Sequence, residues 1–290
     1  GMRKGSRCYF CNICQKYFSS KKTTKHKNIW DEYSTGKQTQ EQLSKSFQKS
    51  RKWINETLKK GIKYSGKNPE IVPQKIVLIV DTTYFSQFGL MVFRASNLGK
   101  NLFWKTVDHE TNEAYRSGIQ VLINDGWEIF GIVADGKPGL SKLFPNIPFQ
   151  LCQFHQFQIV TRYISKNPKL EASKELRQIM FYLKETDYES FKYWLEEWHT
   201  SWKEFLAEKT TDLVTGKSCF THKRLRQAFF SVRRNLKPLF TFQFHLQVIQ
   251  IPNTTNSLDG YFSHLKSKLS VHRGASKTTQ INLISELIFR

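Results

Sequence analysis

Three aspartates stand where a carboxylate could take part in chemistry, and two of them follow apolar runs. Asp81 comes directly after IVLIV and Asp135 after GIVA, so each is expected at the end of a buried strand. The carboxyl ends of strands border the crevice in which α/β sheets bind ligands. Two carboxylates there could share divalent cations, because Mg²⁺ prefers oxygen ligands and two ions ~4 Å apart can hold both the attacking and the leaving oxygen of a phosphodiester. Alternatively, each Asp simply begins a turn, a position that Asp favours.

Asp259 is the third candidate and lies in the polar segment IPNTTNSLDGYF, residues 251–262. The PNTTNS stretch offers several helix N-caps. Apolar residues then follow at helical spacing, namely Leu258, Phe262, Leu265 and Leu269. Asp259 borders this stripe, where it could reach a sheet without being buried, and Lys266 continues its face and could contact a phosphate. The alternative is an ordinary first-turn acid that the helix dipole favours.

The elements that must position these acids are indicated by apolar runs between residues 75 and 152. Turn-like breaks separate three strands in hairpin order, and a helix and two more strands follow. The predicted strands are 75–81, 88–96, 101–108, 128–135 and 147–152, and the predicted helix is 110–126. This order predicts an α/β fold with a mixed sheet of ribonuclease-H type. From Gln153 to about Phe244 the pattern is helical throughout, which predicts an all-helical insertion before the core resumes.

Four sequence blocks make the chain resemble a known family. LIVDTTYF, GIVADGKPGL, CQFH and NTTNSLDGYF occur in the order and spacing of the Mutator-type transposases of bacterial insertion sequences, which are DDE recombinases with a ribonuclease-H-like core. The resemblance runs from about Lys75 to the carboxyl terminus. It implies that Asp81, Asp135 and Asp259 are catalytic acids that hold Mg²⁺ or Mn²⁺, and that the helical stretch is the insertion this family places before its third acid. The chain departs from the family at that third acid, which is normally Glu.

Cys152 and His155 form a C-x₂-H pair shortly after the second acid. Taken alone, the pair indicates packing more than a metal site, since a structural zinc ion needs four ligands. The resemblance gives the pair more weight, because the family carries C-x₂-H at this place near its active site. We therefore expect Cys152, His155 and Asn256 to be associated with the site, with His155 as a phosphate or substrate contact.

The segment CYFCNIC near the start contains Cys8, Cys11 and Cys14 at C-x₂-C-x₂-C spacing. Cys11 and Cys14, which two aromatic residues follow, resemble the second knuckle of a zinc ribbon, a module that some of these transposases carry. Only Cys8 and His26 could complete four Zn²⁺ ligands. The alternative is a truncated ribbon that binds no zinc.

Residues 39–60, TQEQLSKSFQKSRKWINETLKK, predict a helix–turn–helix in which Ser50 caps the second helix. In this motif the second helix enters the major groove of DNA. The polar side chains left for DNA are Arg51, Lys52, Asn55, Lys59 and Lys60. The alternative is a basic helical hairpin that does not enter a groove.

The insertion carries two further patterns. Residues 223–237 place arginines around an apolar side, as either a solvated helix or a clamp on the DNA backbone, and the overall charge favours the clamp because phosphate neutralisation supplies most non-specific affinity. Those arginines are Arg224, Arg226, Arg233 and Arg234. Trp194, Trp198 and Trp202 recur every four residues and predict core packing, with stacking on an unpaired base as the alternative.

The composition indicates a folding chain with a polyanionic partner. Of 290 residues, 39% are hydrophobic, and 45 Lys and Arg against 24 Asp and Glu give a formal net charge of +21. That balance favours nucleic acid. The apolar runs are far shorter than the ~20 residues that cross a bilayer, so we expect no membrane partner. Five cysteines, three of them crowded near the start, favour a reducing cytoplasm over a disulfide scaffold.

Together these features predict a cytoplasmic bacterial transposase, nucleoid-associated when bound to the double-stranded DNA of its terminal repeats and target. The resemblance implies a homodimer or larger assembly. A metal-dependent nuclease without strand transfer and an inactive, transposase-derived DNA-binding protein are the alternatives. The expected domains are a partial zinc knuckle (1–28), a helix–turn–helix region (29–65), a linker (66–74), the first part of the core (75–152), the helical insertion (153–250) and the rest of the core (251–290).

Overall fold

The computed structural model of the protein describes residues 2–3, 6–19, 24–60, 66–68, 70–211, 214–245, 250–272 and 274–289. Two compact units divide the chain, a smaller one of residues 1–64 and 264–288 and a larger one of residues 65–263. We expected residues 251–290 to complete the core, but those after residue 263 group with the N-terminal helices instead.

The described residues form both strands and helices. The strands are β1 (Met2–Arg3), β2 (Ser6–Phe10), β3 (Tyr17–Ser19), β4 (Lys75–Phe85), β5 (Phe88–Ala95), β6 (Lys100–Val107), β7 (Glu128–Ala134), β8 (Phe149–Leu151), β9 (Lys209–Thr211) and β10 (Ser218–Phe220). The helices are α1 (Thr24–Ser34), α2 (Gln40–Phe47), α3 (Arg51–Lys59), α4 (Asn112–Asn124), α5 (Gln153–Ile164), α6 (Glu171–Phe181), α7 (Tyr188–Ala207), α8 (Lys223–Leu239), α9 (Thr241–Phe244), α10 (Asn256–Ser270) and α11 (Lys277–Leu287). None of the helices in the described ranges is long and apolar enough to span a membrane.

The smaller unit contains short helices with side-chain caps. Thr39 and Gln42 form a reciprocal capping box at the start of α2, and Ser50 caps α3 by accepting the Trp53 amide N–H, as predicted. Leu43, Ile54 and Leu58 are fully buried, which closes the two helices on each other. Helix α11 joins them, because the Asn282 side-chain amide donates to the Leu58 carbonyl at 3.4 Å. Side-chain capping and a shared apolar core therefore fix this helical pair.

A five-stranded sheet in the order β6–β5–β4–β7–β8 forms the centre of the larger unit. The first three strands are antiparallel neighbours, so the predicted hairpin order is confirmed. Strands β7 and β8 add to the other side in parallel, β7 against β4 and β8 against β7. The mixed α/β class is thus confirmed, while the ribonuclease-H-like assignment stays a prediction.

Strand β4 is longer than its apolar run indicated. We expected the strand to end at Asp81, but it continues to Phe85, so Asp81 lies inside it. Residues Thr82–Phe85 stay extended because they pair antiparallel with the start of β5 across a two-residue turn, with Phe85 opposite Phe88. The parallel pairing with β7, in contrast, runs only to Ile79 and Val133.

Helix α4 covers one face of this sheet. Tyr115, Ile119 and Leu122 of the helix share a buried apolar cluster with the inward side chains of β4 and β5. Gly118 permits the close approach, since a Cβ at this position would lie 2.0 Å from the ring of Phe93. The helix therefore packs directly on the face formed by β4 and β5.

The insertion has its own apolar core, formed by α5, α6, α7 and α8. Trp198 is buried in it and donates its indole N–H to the Ala172 carbonyl at 3.0 Å, and Trp202 packs partly buried against the same core, as predicted. Trp194, in contrast, is 37% exposed, so the predicted core packing does not hold for it. The expectation that the segment is helical throughout is wrong, because β9 and β10 form a short antiparallel hairpin between α7 and α8. All six residues of these two strands are exposed, so the hairpin lacks the apolar pattern by which sequence reveals a strand.

Candidate functional site

The register of two neighbouring strands aligns the first two predicted acids. Ile79 of β4 pairs with Val133 of the parallel strand β7. Asp81 and Asp135 each follow two residues later, and side chains two residues apart in a strand lie on the same face. Asp81 is 8% exposed, and Asp135, directly after the end of β7, is half-buried. The strands thus bring both acids to one edge of the sheet, as predicted.

The third acid lies in the first turn of α10, where the sequence placed it. The predicted apolar stripe is confirmed, since Leu258, Phe262, Leu265 and Leu269 are all buried. Asp259 is half-buried beside this stripe. Its backbone N–H bonds to the Thr255 carbonyl at 3.3 Å, and its Oδ2 accepts the Thr255 hydroxyl at 3.3 Å. Thr255 therefore forms the N-terminal cap that sets the direction of the Asp259 side chain.

Three groups from distant parts of the chain meet at this edge. One ligand atom from each of Asp81, His155 and Asp259 lies within 4.8 Å of the others, so the three could hold a metal ion. Two carboxylates suit Mg²⁺ and Mn²⁺, whereas imidazole more often binds Zn²⁺, Fe²⁺ or Cu²⁺. Asp135 is outside this compact group, but its charge acts on Asp81. The donor chemistry of Asp81 and Asp259 thus fits a divalent cation.

The electrostatics of the three groups are coupled. Burial raises the pKa of Asp81 to about 7, with further increases from the charges of Asp259 and Asp135 and decreases from the Thr82 amide and His155. A hydrogen bond with Cys152 raises the pKa of His155 to about 9, against the opposing effect of burial, and the acids add to that rise. Without a bound metal, the fold therefore favours an imidazolium in the electrostatic environment of the two acids.

Cys152 and His155 both lie against Thr255. Cys152 is fully buried, and its Sγ accepts the Thr255 amide N–H at 3.3 Å and lies 3.4 Å from the Thr255 hydroxyl oxygen. Burial would raise the pKa of the Cys152 thiol, but hydrogen bonds with His155 and Thr255 outweigh it and lower that pKa. Asn256, which we expected at the site, is the exposed first residue of α10. Its neighbour Thr255 makes those contacts instead.

A further acid beside the site was missed by sequence reasoning. Glu110 is half-buried before α4, and it accepts a hydrogen bond from the hydroxyl of the buried Tyr115. Burial raises the pKa of Glu110, Asp135 raises it further, and His155 lowers it, so this carboxylate shares the electrostatic environment of the site. Asn112 ties the same helix start to the loop after Asp135 by donating to the Pro138 carbonyl at 3.0 Å. The available signal in the sequence was the place of Glu110, an acidic residue between the end of a strand and the cap of the next helix.

The predicted DNA-contacting side chains are mostly on the surface. On α3 and at its end, Arg51, Lys52, Lys59 and Lys60 are exposed and Asn55 is half-buried. On α8, Arg233 and Arg234 are exposed, whereas Arg224 donates to the Arg162 carbonyl and Arg226 to the Leu206 carbonyl at 2.5 and 2.8 Å. Lys266 is exposed in the part of α10 that belongs to the smaller unit. The two arginines with carbonyl partners already serve the fold, so Arg233 and Arg234 are the better candidates for a backbone clamp.

The predicted zinc ligands surround the β2–β3 hairpin. Cys8 is in β2, Cys11 follows it, and Cys14 lies in the turn before β3. Hydrogen bonds from the Cys14 backbone and side chain lower the pKa of Cys11, which favours the thiolate form that binds metals. These three cysteines do not form a compact metal group among the described residues, and the His26 side chain is outside those residues. Zinc binding stays a prediction.

Comparisons with known proteins give only distant structural likeness. No protein-family model and no curated protein sequence matches the chain. The chain is similar to the Drosophila P element transposase strand transfer complex at 11% identity and a TM-score of 0.35, with 98% of this chain and 93% of that chain covered. It is also similar to a chain in the cryo-EM structure of the simian T-cell lymphotropic virus intasome in complex with PP2A regulatory subunit B56 gamma, at 10% identity and a TM-score of 0.24, with 78% and 72% covered. Likeness at this level assigns neither a family nor an activity, so the residues of the site must support any function.

Proposed function

We propose that the protein is a DNA transposase of an insertion sequence, which binds the terminal inverted repeats of its element and catalyses metal-dependent phosphodiester hydrolysis and strand transfer. The single observation that carries this proposal is the meeting of Asp81, His155 and Asp259 within 4.8 Å. These residues come from a strand, the start of the insertion and a helix beyond it. The resemblance of the four sequence blocks, and the strand order of the sheet, support the same conclusion.

Different side chains of the protein would bind the metal ions and the phosphate in such a site. Asp81 and Asp259 would hold Mg²⁺ or Mn²⁺, with Asp135 on the adjacent strand as a further ligand. When bound, the ions would activate the attacking hydroxyl and stabilise the leaving oxygen of the phosphodiester. His155 would donate a hydrogen bond to a phosphate oxygen, orienting the scissile bond against the acids. No side chain of the protein need act as a nucleophile.

Recognition of DNA would come from basic surfaces outside the acidic edge. The exposed residues at the start of α3 would contact bases, and Lys59 and Lys60 would contact phosphates, as in a helix–turn–helix. Arg233 and Arg234 would bind the backbone without regard to sequence. Because two element ends must be joined, the active form would be a dimer or larger, and the protein would work in the bacterial cytoplasm.

One assay tests this proposal and separates it from its alternatives. The full chain is incubated with labelled element ends and Mg²⁺ or Mn²⁺, and the products are resolved by size. Joined products support a transposase, cleavage alone indicates a nuclease, and binding without either indicates an inactive DNA-binding protein.

The matched variants are Asp135→Asn and Asp187→Asn. The first should abolish cleavage and joining while DNA binding is retained. The second changes a carboxylate that caps α7 by accepting the Ser190 amide N–H, a role that Asn also fills, so its activity should equal that of the wild type. Cleavage by Asp135→Asn at the wild-type rate would contradict the assignment.

A further inference from the structure

Hydrogen bonds attach the segment before α10 to the start of α5. We call these contacts, made by Cys152, Gln153, Asn253 and Thr255, the clip. The Gln153 amide N–H donates to the Asn253 carbonyl, and the Asn253 side-chain amide donates to Gln153 Oε1, both at 2.9 Å. One residue earlier, Cys152 Sγ accepts the Thr255 amide N–H at 3.3 Å. Two consecutive residues of the C-x₂-H region thus hold two residues of the NTT stretch.

The clip acts on the third acid through the cap of its helix. The Thr255 carbonyl accepts the amide N–H groups of Leu258 and Asp259, at 2.8 and 3.3 Å, so it begins the hydrogen bonding of α10. The Thr255 hydroxyl lies 3.3 Å from Asp259 Oδ2, 3.4 Å from Cys152 Sγ and 3.5 Å from His155 Nδ1. Its single proton can point to only one of them at a time. A carboxylate oxygen is a much stronger acceptor than a thiol sulfur, so the hydroxyl is best used to orient the Asp259 carboxylate.

Burial makes these contacts hard to replace. Cys152, Gln153 and Thr255 are each 0% exposed, so water cannot substitute for a lost partner. The Gln153 side chain also donates to the Leu239 carbonyl of α8 at 3.0 Å, which anchors the clip to the end of the insertion. The position of Asp259 is therefore determined by buried groups that never touch a substrate.

Other roles for Cys152 fit less well. Full burial excludes it as a nucleophile, and the candidate metal group among the described residues contains Asp81, His155 and Asp259 without it. Polar groups that hold a metal ligand in place are a common part of metal sites. The contacts of Cys152 are of that kind.

We propose that Cys152 and Thr255 are positioning residues, which together fix Asp259 beside Asp81 for metal binding. This inference rests on the proposed function only in taking Asp259 as a ligand for a divalent ion. It assigns the cysteine of the C-x₂-H pair to the placement of the third acid, and it makes Thr255, rather than Asn256, the functional residue of the stretch before that acid.

The test measures the affinity of the full chain for Mn²⁺ alone, by calorimetry, next to DNA binding and cleavage. The variants are Thr255→Val, which keeps the shape but removes the hydroxyl, Thr255→Ser, which restores it, and Cys152→Ala. Cys219→Ala, at an exposed cysteine in β10, is the matched control. Thermal melting of each variant establishes that it is folded.

We expect Thr255→Val and Cys152→Ala each to weaken Mn²⁺ binding by about 10-fold or more, with DNA affinity unchanged, because loss of such supporting contacts costs roughly 10–100-fold. Thr255→Ser and Cys219→Ala should bind Mn²⁺ like the wild type. The double variant Cys152→Ala/Thr255→Val should lose little more Mn²⁺ affinity than either single variant, because both residues support Asp259 through the same set of contacts.

Unchanged Mn²⁺ affinity in Thr255→Val and Cys152→Ala, together with a loss in Asp259→Asn, would overturn the positioning role and leave the proposed function intact. The expected Mn²⁺ results without DNA cleavage by the wild type would sustain the positioning role and reject the transposase. A wild type that binds no Mn²⁺ would overturn both.

Discussion

The carboxylates of Asp81 and Asp259 lie within 4.8 Å of each other, although one belongs to a central strand and the other to the first turn of a helix beyond the insertion. Burial disfavours the charged form of Asp81, which is 8% exposed, and the Asp259 carboxylate adds to this cost, which the nearby His155 only partly offsets. The fold therefore keeps an arrangement that costs stability in the absence of a cation. This cost should be measurable in the stability of the protein and in its binding of divalent ions.

The first prediction concerns stability without metal. Burial raises the folded pKa of Asp81 to about 7, and the unfolded value is about 3.9. Between these values the folded state binds more protons than the unfolded state, so stability should fall as pH rises from about 4 to about 7. Asp81→Asn removes this titration and should be more stable than the wild type at pH 8, by a few kcal/mol at the order-of-magnitude level.

Thermal melting in a chelating buffer, at intervals from pH 5 to pH 8, checks this expectation. The difference between Asp81→Asn and the wild type should grow across that range. Asp187→Asn serves as the control, because hydrogen bonds with Ser190 lower the pKa of Asp187 and its carboxylate is already ionised there. A difference for Asp81→Asn that stays constant with pH would contradict a folded pKa of about 7 for Asp81.

The second prediction is that Mn²⁺ stabilises the protein more at pH 8 than at pH 6. A carboxyl group must lose its proton to bind a metal, so each pH unit below the Asp81 pKa of about 7 should weaken the apparent affinity by up to about tenfold. A ligand at 100 times its dissociation constant adds about 2.7 kcal/mol to folding stability. Melting scans with and without Mn²⁺ at the two pH values measure the effect, and Asp259→Asn should abolish it. Equal stabilisation at both pH values would place the ion elsewhere.

Apolar patterning explains which parts of this architecture could be predicted. The β4, β5 and β7 strands have continuous buried runs, and the α10 stripe has helical spacing, so the supports of all three aspartates were visible in the sequence. The end of β4 could not be predicted from the sequence, because the DTTY segment is polar and stays extended only through its pairing with β5. Nor could the contact of Cys152 with Thr255, since a hydrogen bond between residues far apart in the chain leaves no periodic signal. The same holds for Glu110, which only the tertiary fold brings into the environment of Asp135.

The third prediction tests the buried pair at the start of α4. Tyr115→Phe removes the hydroxyl that donates to Glu110 and leaves a half-buried carboxylate without this donor. We expect a loss of about 1–3 kcal/mol in the free energy of unfolding, measured by urea denaturation. Tyr193→Phe is the matched control, because its side chain is 63% exposed and should change stability little. Equal stabilities of the two variants would show that the Tyr115 hydroxyl contributes nothing to the fold.

The last prediction concerns the basic surface of α3. Lys59 and Lys60 are exposed at its end, and in the proposed binding mode each neutralises one phosphate. Replacing both with Ala should weaken DNA binding about equally for all sequences and reduce the slope of log affinity against log salt by about 2. Fluorescence anisotropy at several salt concentrations gives this slope. Lys45→Ala is the control, because Lys45 on α2 already pairs with Glu41 at 3.2 Å, so it should leave the slope near that of the wild type. If removing the two lysines leaves the slope unchanged, DNA does not contact this end of α3, and the two helices form a structural hairpin only.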